Sequence, residues 1–290
     1  MQLEPSELIL NADQSIYHLN LLPEDISDTI ILVGDQNRVA QVSKYFDVIE
    51  VKKAKREFIS HTGTLNGKRI TALSTGIGAD NIDIVMNELD ALANIDFKSR
   101  SIKKELIQLK IVRVGTSGAI QEDIPVDSFV LGEYAFGFDG VLHFYENEGI
   151  FYPEFSNAFV EHSGWPKEKP LPYLVKSDDI LGAKFSSNRI RLGVTVTNSG
   201  FYGPQGRKLR LGLQDPDLNR KMTSFRHDGM MITNLEMESS AIYGLSKLMG
   251  HQAVSLNCIV ANRITGEFSK KPLETIDSLI QYTLDKLTTD

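Results

Sequence analysis

The sequence predicts an α/β layer fold, and three observations carry that expectation. Apolar, strand-like runs recur at residues 29–33, 69–74, 111–114, 128–131, 191–197 and 253–261. Between several of them the apolar residues fall at helical spacing instead. Alternation of the two element types is the pattern of strands covered by helices. Third, two of the strands lead into a glycine-bearing segment with an arginine in or beside it. Open α/β sheets bind their ligands at such strand ends.

The helices are placed by periodicity. Residues 80–93 carry Ile82, Val85, Met86, Leu89, Leu92 and Ala93 on one face. Residues 237–249 repeat that spacing, and Gly250 is placed to close the helix as a C-cap. Residues 273–287 form a terminal amphipathic helix. No internal repeat or low-complexity linker breaks the chain, so residues 1–290 are expected to form one domain. Two stretches are expected to be irregular insertions or mobile loops: 145–187, rich in Pro, Glu, Lys and Ser, and the polar 208–228. The second suits a lid as well as a plain surface loop.

Composition narrows the function classes. The 290 residues are 41% hydrophobic and 24% charged, ordinary for a globular protein able to bury a large core. A net charge of -7 argues against general binding to nucleic acid or to an anionic membrane. The single cysteine, Cys258, lies in an apolar run and is expected to be a buried thiol; one cysteine excludes an intrachain disulfide framework and a Cys-rich zinc site. The histidines show no metal-ligand spacing, so no metal site is expected. The opening residues carry neither part of a secretory signal, and no apolar run reaches 18 residues, so the expectation is a cytoplasmic protein.

Three segments carry chemistry. In Gly34-Asp35-Gln36-Asn37-Arg38 a strand ends in Gly-Asp, and the arginine falls in the next helical turn. Backbone N–H groups beside a guanidinium suit a phosphate, although a turn with a solvated arginine has the same sequence. In Arg113-Val114-Gly115-Thr116-Ser117-Gly118 the apolar strand is expected to open into a turn of small residues. A buried arginine there needs an anionic partner, either a structural carboxylate or a ligand phosphate. In Glu236-Met237-Glu238 two carboxylates sit at the start of the 237–249 helix. They serve the helix dipole, or Glu238 accepts from a pair of sugar hydroxyls over the apolar Met237.

Taken in order with Ser74-Thr75-Gly76-Ile77-Gly78, these motifs resemble the nucleoside phosphorylase superfamily of purine nucleoside phosphorylases, uridine phosphorylases and nucleosidases. The resemblance covers about residues 15–144 and 190–290. It implies a three-layer α/β/α fold whose central mixed sheet is partly barrel-like. Two segments are most similar to the uridine phosphorylase branch. Phe201-Tyr202-Gly203-Pro204-Gln205-Gly206-Arg207 matches the turn that reads the uracil edge, and Asn262-Arg263 stands where purine phosphorylases carry an acid. Asp139-Gly140 and Leu142-His143-Phe144 add to that similarity. Gln36 departs from the proline usual after Gly-Asp, and Leu235 from an aromatic residue.

The resemblance implies phosphorolysis: uridine plus phosphate gives uracil and ribose 1-phosphate, a pentosyltransferase reaction of pyrimidine nucleoside salvage. Gly34, Arg38, Arg56, Arg113 and Thr116 would hold phosphate. His18, Thr116, Glu236, Met237 and Glu238 would hold ribose. Gly118, Phe201, Gln205 and Arg207 would hold the base. Arg113, Gln205, Arg207 and Glu238 would carry the catalysis, with phosphate as co-substrate and no cofactor beyond a monovalent cation near Glu57. His18 and Arg56 would reach across to a neighbouring subunit, making a dimer, or dimers built into a hexamer, the active unit. The competing readings are a purine phosphorylase, a hydrolytic nucleosidase, and a non-catalytic nucleoside-binding protein on the same fold.

Overall fold

The computed structural model describes residues 2–289. Strands and helices succeed one another in the order β1 (Thr29–Val33), α1 (Gln36–Ser43), β2 (Val48–Lys55), β3 (Phe58–Leu65), β4 (Lys68–Ser74), α2 (Ala79–Asn94), β5 (Ile95–Asp96) and β6 (Ser101–Ile102). Then come β7 (Lys110–Ala119), β8 (Phe129–Gly137), α3 (Pro153–Ser163), β9 (Tyr173–Lys176), α4 (Asp179–Phe185) and β10 (Ile190–Thr197). The chain finishes with α5 (Leu218–Ser224), β11 (Arg226–His227), β12 (Met230–Glu236), α6 (Ser239–Met249), β13 (Gln252–Asn262) and α7 (Pro272–Thr288).

The alternation of side chains along β1 shows why three layers form. Ile30 and Leu32 pack with α2 and α6, in a core that also takes Leu73 and Ile111. Ile31 and Val33 point the other way, into a core built with α1, α4 and α7. A strand apolar on both faces is stable only when both are covered. Each fully buried Ile, Leu or Val contributes about 1.5–3 kcal/mol. A third apolar cluster joins Phe136 and Phe138 to Phe155 and Phe159 of α3 and to Phe225.

The sheet is mixed and runs β11-β12-β10-β8-β13-β7-β1-β4-β3-β2. β1 pairs in parallel with β4 and β7, whereas β2, β3 and β4 form an antiparallel run at the edge. A further pairing of β12 with β7, Asn234 opposite Ala119 and Leu235 opposite Gly118, closes five strands into a ring. Register shifts in β10 and β13 bend those strands as the closure requires. The expected partly barrel-like sheet is therefore present.

Four sequence expectations change. β7 does not open into a turn after Val114; it continues as strand to Ala119, paired with β13 and then with β12. The helix expected from residue 237 begins two residues later, as α6 at Ser239, and Glu236 ends β12. The stretch 145–187 is not irregular: it holds α3, β9 and α4, and buries Phe155 and Phe159. Within 208–228, the exposed Leu209 and Leu211 precede a packed helix, α5. Gly250 is the left-handed cap of α6, as its position predicts. Cys258 is buried, and burial pushes its thiol up to about 12, which makes it inert. Among the described residues no helix is long and apolar enough to cross a membrane.

Candidate active site

The ends of β1, β4, β7 and β12 converge on one cavity of about 930 Å³. At the first of them, Asp35 caps α1 by accepting from the Asn37 N–H at 2.9 Å. That cap starts the helix directly after Gly34 and sets Arg38 in its first turn. The Arg38 side chain runs inward, and its Nη1 donates to the Val114 carbonyl at 3.2 Å. Among the described residues no carboxylate lies within ion-pair distance of it. Burial, and next the nearby charge of Arg113, hold its pKa below the usual value. A buried guanidinium so placed has the chemistry to take an anionic partner.

Arg113 leaves β7 on the α6 side and lies back along its own strand. This needs a glycine two residues on: a Cβ at Gly115 would meet Arg113 Nη1 at 1.9 Å and Cζ at 2.5 Å. Nη1 donates to Asn257 Oδ1 at 2.9 Å, and Nη2 meets Glu238 Oε2 at 2.5 Å and Glu236 Oε2 at 3.4 Å. Burial opposes the charge of Arg113, but Glu238 and then Glu236 outweigh it and hold its pKa above the usual value. The structural carboxylate that the sequence allowed is thus Glu238, and both groups still line the cavity. Gly115→Ala should displace this guanidinium and lower kcat/KM by on the order of 100-fold, the cost of about 1 Å of misplacement. Steady-state rates with a melting-temperature control check this; near-normal turnover would show that the position of Arg113 is unimportant.

The two glutamates divide the roles that the sequence left open. Glu236 accepts from the N–H groups of Glu238 and Ser239 and from the Thr197 hydroxyl, so its carboxylate caps α6. That serves the helix terminus, although Glu236 also faces the cavity. Glu238 accepts the Gly78 N–H at 2.8 Å on Oε1, across from Arg113 on Oε2. Gly78 is at φ +103°, a conformation that side chains avoid, and this turns its N–H toward the glutamate. Burial raises the Glu238 carboxyl pKa, Arg113 acts against that, and Glu236 adds to it. Thr116, Gly118 and Met237 line the same wall.

At the far end the Phe201–Arg207 turn forms a fork. Arg207 stacks over the Phe201 ring at 3.8 Å, and its Nη1 donates to Gln205 Oε1 at 2.6 Å. The Gln205 oxygen is then occupied, and its amide NH₂ makes no bond to the described residues. Asn219 of α5 holds the Gln205 carbonyl at 3.2 Å, so the polar 208–228 stretch braces this turn. Burial, then the nearby Arg263, lowers the Arg207 pKa to about 10. Arg263 packs against Gly118 and has a buried Nη1 with no partner in the structure. The sequence signal for it was the Asn262-Arg263 pair, read only for its asparagine. Asn262 itself is buried and fully bonded: it donates to Gln121 O and Ile124 O and accepts from the Ile264 and Thr265 N–H groups. Phe268, exposed at the rim, lay outside the sequence reading.

His18 and Arg56 do not line this cavity. Arg56 is exposed at the turn between β2 and β3, at φ 54°, one residue from Glu57 in the cavity wall. Lys55 Nζ bonds Asn11 Oδ1 and the Tyr17 carbonyl, tying the His18 segment to that same hairpin. Lys55 thus links the segments that carry the two residues, and neither side chain lines this chain's own pocket.

The Phosphorylase superfamily model matches residues 28–282. The chain belongs to that superfamily. A uridine phosphorylase of Thermococcus kodakarensis is 28% identical over 88% of this chain and 80% of its own length. A DeoD-type purine nucleoside phosphorylase of Brevibacillus brevis is 26% identical over 92% of this chain and 97% of its own. A solved Trypanosoma brucei nucleoside phosphorylase, reported to show uridine phosphorylase activity, aligns with a TM-score of 0.87 at 28% identity, covering 98% of this chain and all of that one. The chain is thus a nucleoside phosphorylase, a pentosyltransferase of the superfamily. Uridine and purine enzymes both stand among these relatives, so the base is argued from the site.

Proposed function

We propose that the chain cleaves uridine by phosphorolysis, giving uracil and ribose 1-phosphate. What supports this reading is the contrast between two buried arginines on one cavity: Arg113 is matched by Glu238, and Arg38 has no carboxylate partner among the described residues. A phosphate oxygen attacks C1′ while the C1′–N1 bond breaks, and its electron pair goes to the uracil ring. Arg38, Arg113, Thr116 and the Gly34 N–H hold the phosphate against the ribose. Glu238 fixes the ribose hydroxyls over Met237, and Gln205 and Arg207 donate to the uracil carbonyls as charge arrives. Donors already in place at developing charge supply the largest share of such catalysis.

Two features favour a pyrimidine. The Gln205 amide is turned by Arg207 to present a donor to a carbonyl. Asn262 stands where purine phosphorylases place an acid; it cannot protonate purine N7, and all its hydrogen bonds are spent within the protein. A hydrolytic enzyme would need no uncompensated Arg38. His18 and Arg56 act on the ribose and phosphate of a neighbouring copy, so the active unit in this reading is a homo-oligomer. A cation beside Glu57 would meet one carboxylate; among the described residues no group of three His, Cys, Asp or Glu side chains could hold a metal.

Arg207→Ala tests the base assignment. Uridine kcat/KM should fall by roughly 100-fold, the value of one such donor. In the unsubstituted enzyme the positive form of Arg207 is lost as pH rises through about 10, so uridine cleavage should decline there. A variant that loses only inosine cleavage would place Arg207 elsewhere.

A further inference from the structure

One carboxylate, Glu88 of α2, closes around the His18 segment. It accepts the His18 N–H at 2.9 and 3.1 Å on its two oxygens, the Leu19 N–H at 2.8 Å on Oε2, and meets His18 Nδ1 at 2.7 Å on Oε1. Two backbone donors already point at the carboxylate, which is an acceptor only, so the third contact fixes Nδ1 as the protonated nitrogen. The other ring nitrogen, Nε2, makes no hydrogen bond to the described residues, and the side chain is 26% exposed. The ring is held edge-on by Tyr17 and Phe58, with centroids 4.7 and 6.4 Å away. Gly78, the N-cap of α2, binds Glu238 through its N–H, so one helix braces both the ribose-facing carboxylate and His18.

We propose that Glu88 is a positioning residue for ribose recognition: it locks His18 in the tautomer whose Nε2 accepts a hydrogen bond from the 5′-hydroxyl of a nucleoside bound to a neighbouring copy. The proposal rests on the ribose role of His18 given above and concerns the sugar, not the base. A histidine whose second nitrogen is tied to a carboxylate keeps one ring orientation and one tautomer. Without Glu88 the ring would have to be oriented, and its proton placed, at each binding event.

The test measures kcat and KM for uridine and 5′-deoxyuridine, with phosphate, on the full chain and on Glu88→Gln and His18→Ala. The amide of Glu88→Gln can still accept both backbone N–H groups but offers Nδ1 a donor, which inverts the tautomer. Uridine kcat/KM should fall about three- to tenfold, one hydrogen bond's worth, chiefly through KM, and 5′-deoxyuridine should stay within about twofold. An equal fall for both substrates would mean that Glu88 only supports the fold, and no fall would mean that the tautomer it selects does not matter, the 5′-hydroxyl accepting from Nε2–H as well as it donates; either overturns the proposal. If Glu88→Gln fails to fold, the same ratio is read on Glu88→Asp, which keeps the acceptor but shortens its reach. His18→Ala should erase the preference for uridine over its 5′-deoxy analogue. If it does not, the ribose role of His18 fails and the proposal with it. If it does while Glu88→Gln changes nothing, only the proposal fails. Should the chain cleave inosine instead, the same comparison on 5′-deoxyinosine decides the matter.

Discussion

Arg113→Ala should sharply slow phosphate-dependent cleavage and destabilise the protein at the same time. In the proposed reaction Arg113 is a buried donor at the phosphate, and its loss should lower kcat on the order of 100- to 1,000-fold. The loss of stability comes from the charges left behind. Glu238 would keep only the Gly78 N–H, and a second carboxylate, Glu236, lies beside it. Breaking a buried ion pair from one side costs about 3–5 kcal/mol. The pH dependence has a definite sign. Burial and Glu236 already raise the Glu238 carboxyl pKa, and Arg113 is what opposes them. Without Arg113 that pKa rises further. A group raised in the folded state contributes stability at low pH and loses it as pH climbs through its folded pKa. The melting temperature of the variant should therefore approach that of the parent as the solution is made acidic. Thermal melts across pH, paired with rates, check this, and a constant gap would show that Glu238 does not take up the proton.

Arg38→Met should separate function from stability. The Arg38 side chain makes one hydrogen bond to the described residues, to a backbone carbonyl, and its charge is disfavoured by burial and by Arg113. Methionine fills similar space, removes a like-charge neighbour of Arg113 and leaves no carboxylate orphaned. Stability should hold within about 1 kcal/mol or increase. If Arg38 holds the phosphate as proposed, phosphate kcat/KM should still fall on the order of 100-fold or more. Steady-state titration of phosphate with a melting control distinguishes this from Arg113→Ala. A large loss of stability with unchanged phosphate kinetics would assign Arg38 to the fold alone.

The layers and the site were legible to different degrees. The long apolar strands and the helices with clean periodicity were readable, because burial on a two-sided sheet writes itself into composition. The turn Gly34–Arg38 was readable as a strand end with the arginine in the next helical turn; the cap by Asp35 was not read. The extension of β7 through Gly115, Thr116, Ser117 and Gly118 was not, because small residues carry little strand propensity; pairing with β13 and β12 supplies what they lack. The hairpin of β2 and β3 escaped notice because β2 alternates half-buried with exposed residues at the edge, and lysine fills much of it. The capping role of Glu236 depends on where α6 begins, two residues later than its periodicity suggests. The clamp of Glu88 on His18 joins residues 70 apart and has no local signature.

Uracil release measured by absorbance, from uridine with and without phosphate and with inosine alongside, tests the central claim most directly. Cleavage of uridine that requires phosphate, with inosine left intact, is the predicted result. Cleavage of inosine in preference to uridine would contradict the base assignment to Gln205 and Arg207, and cleavage without phosphate would contradict the role given to Arg38 and Arg113.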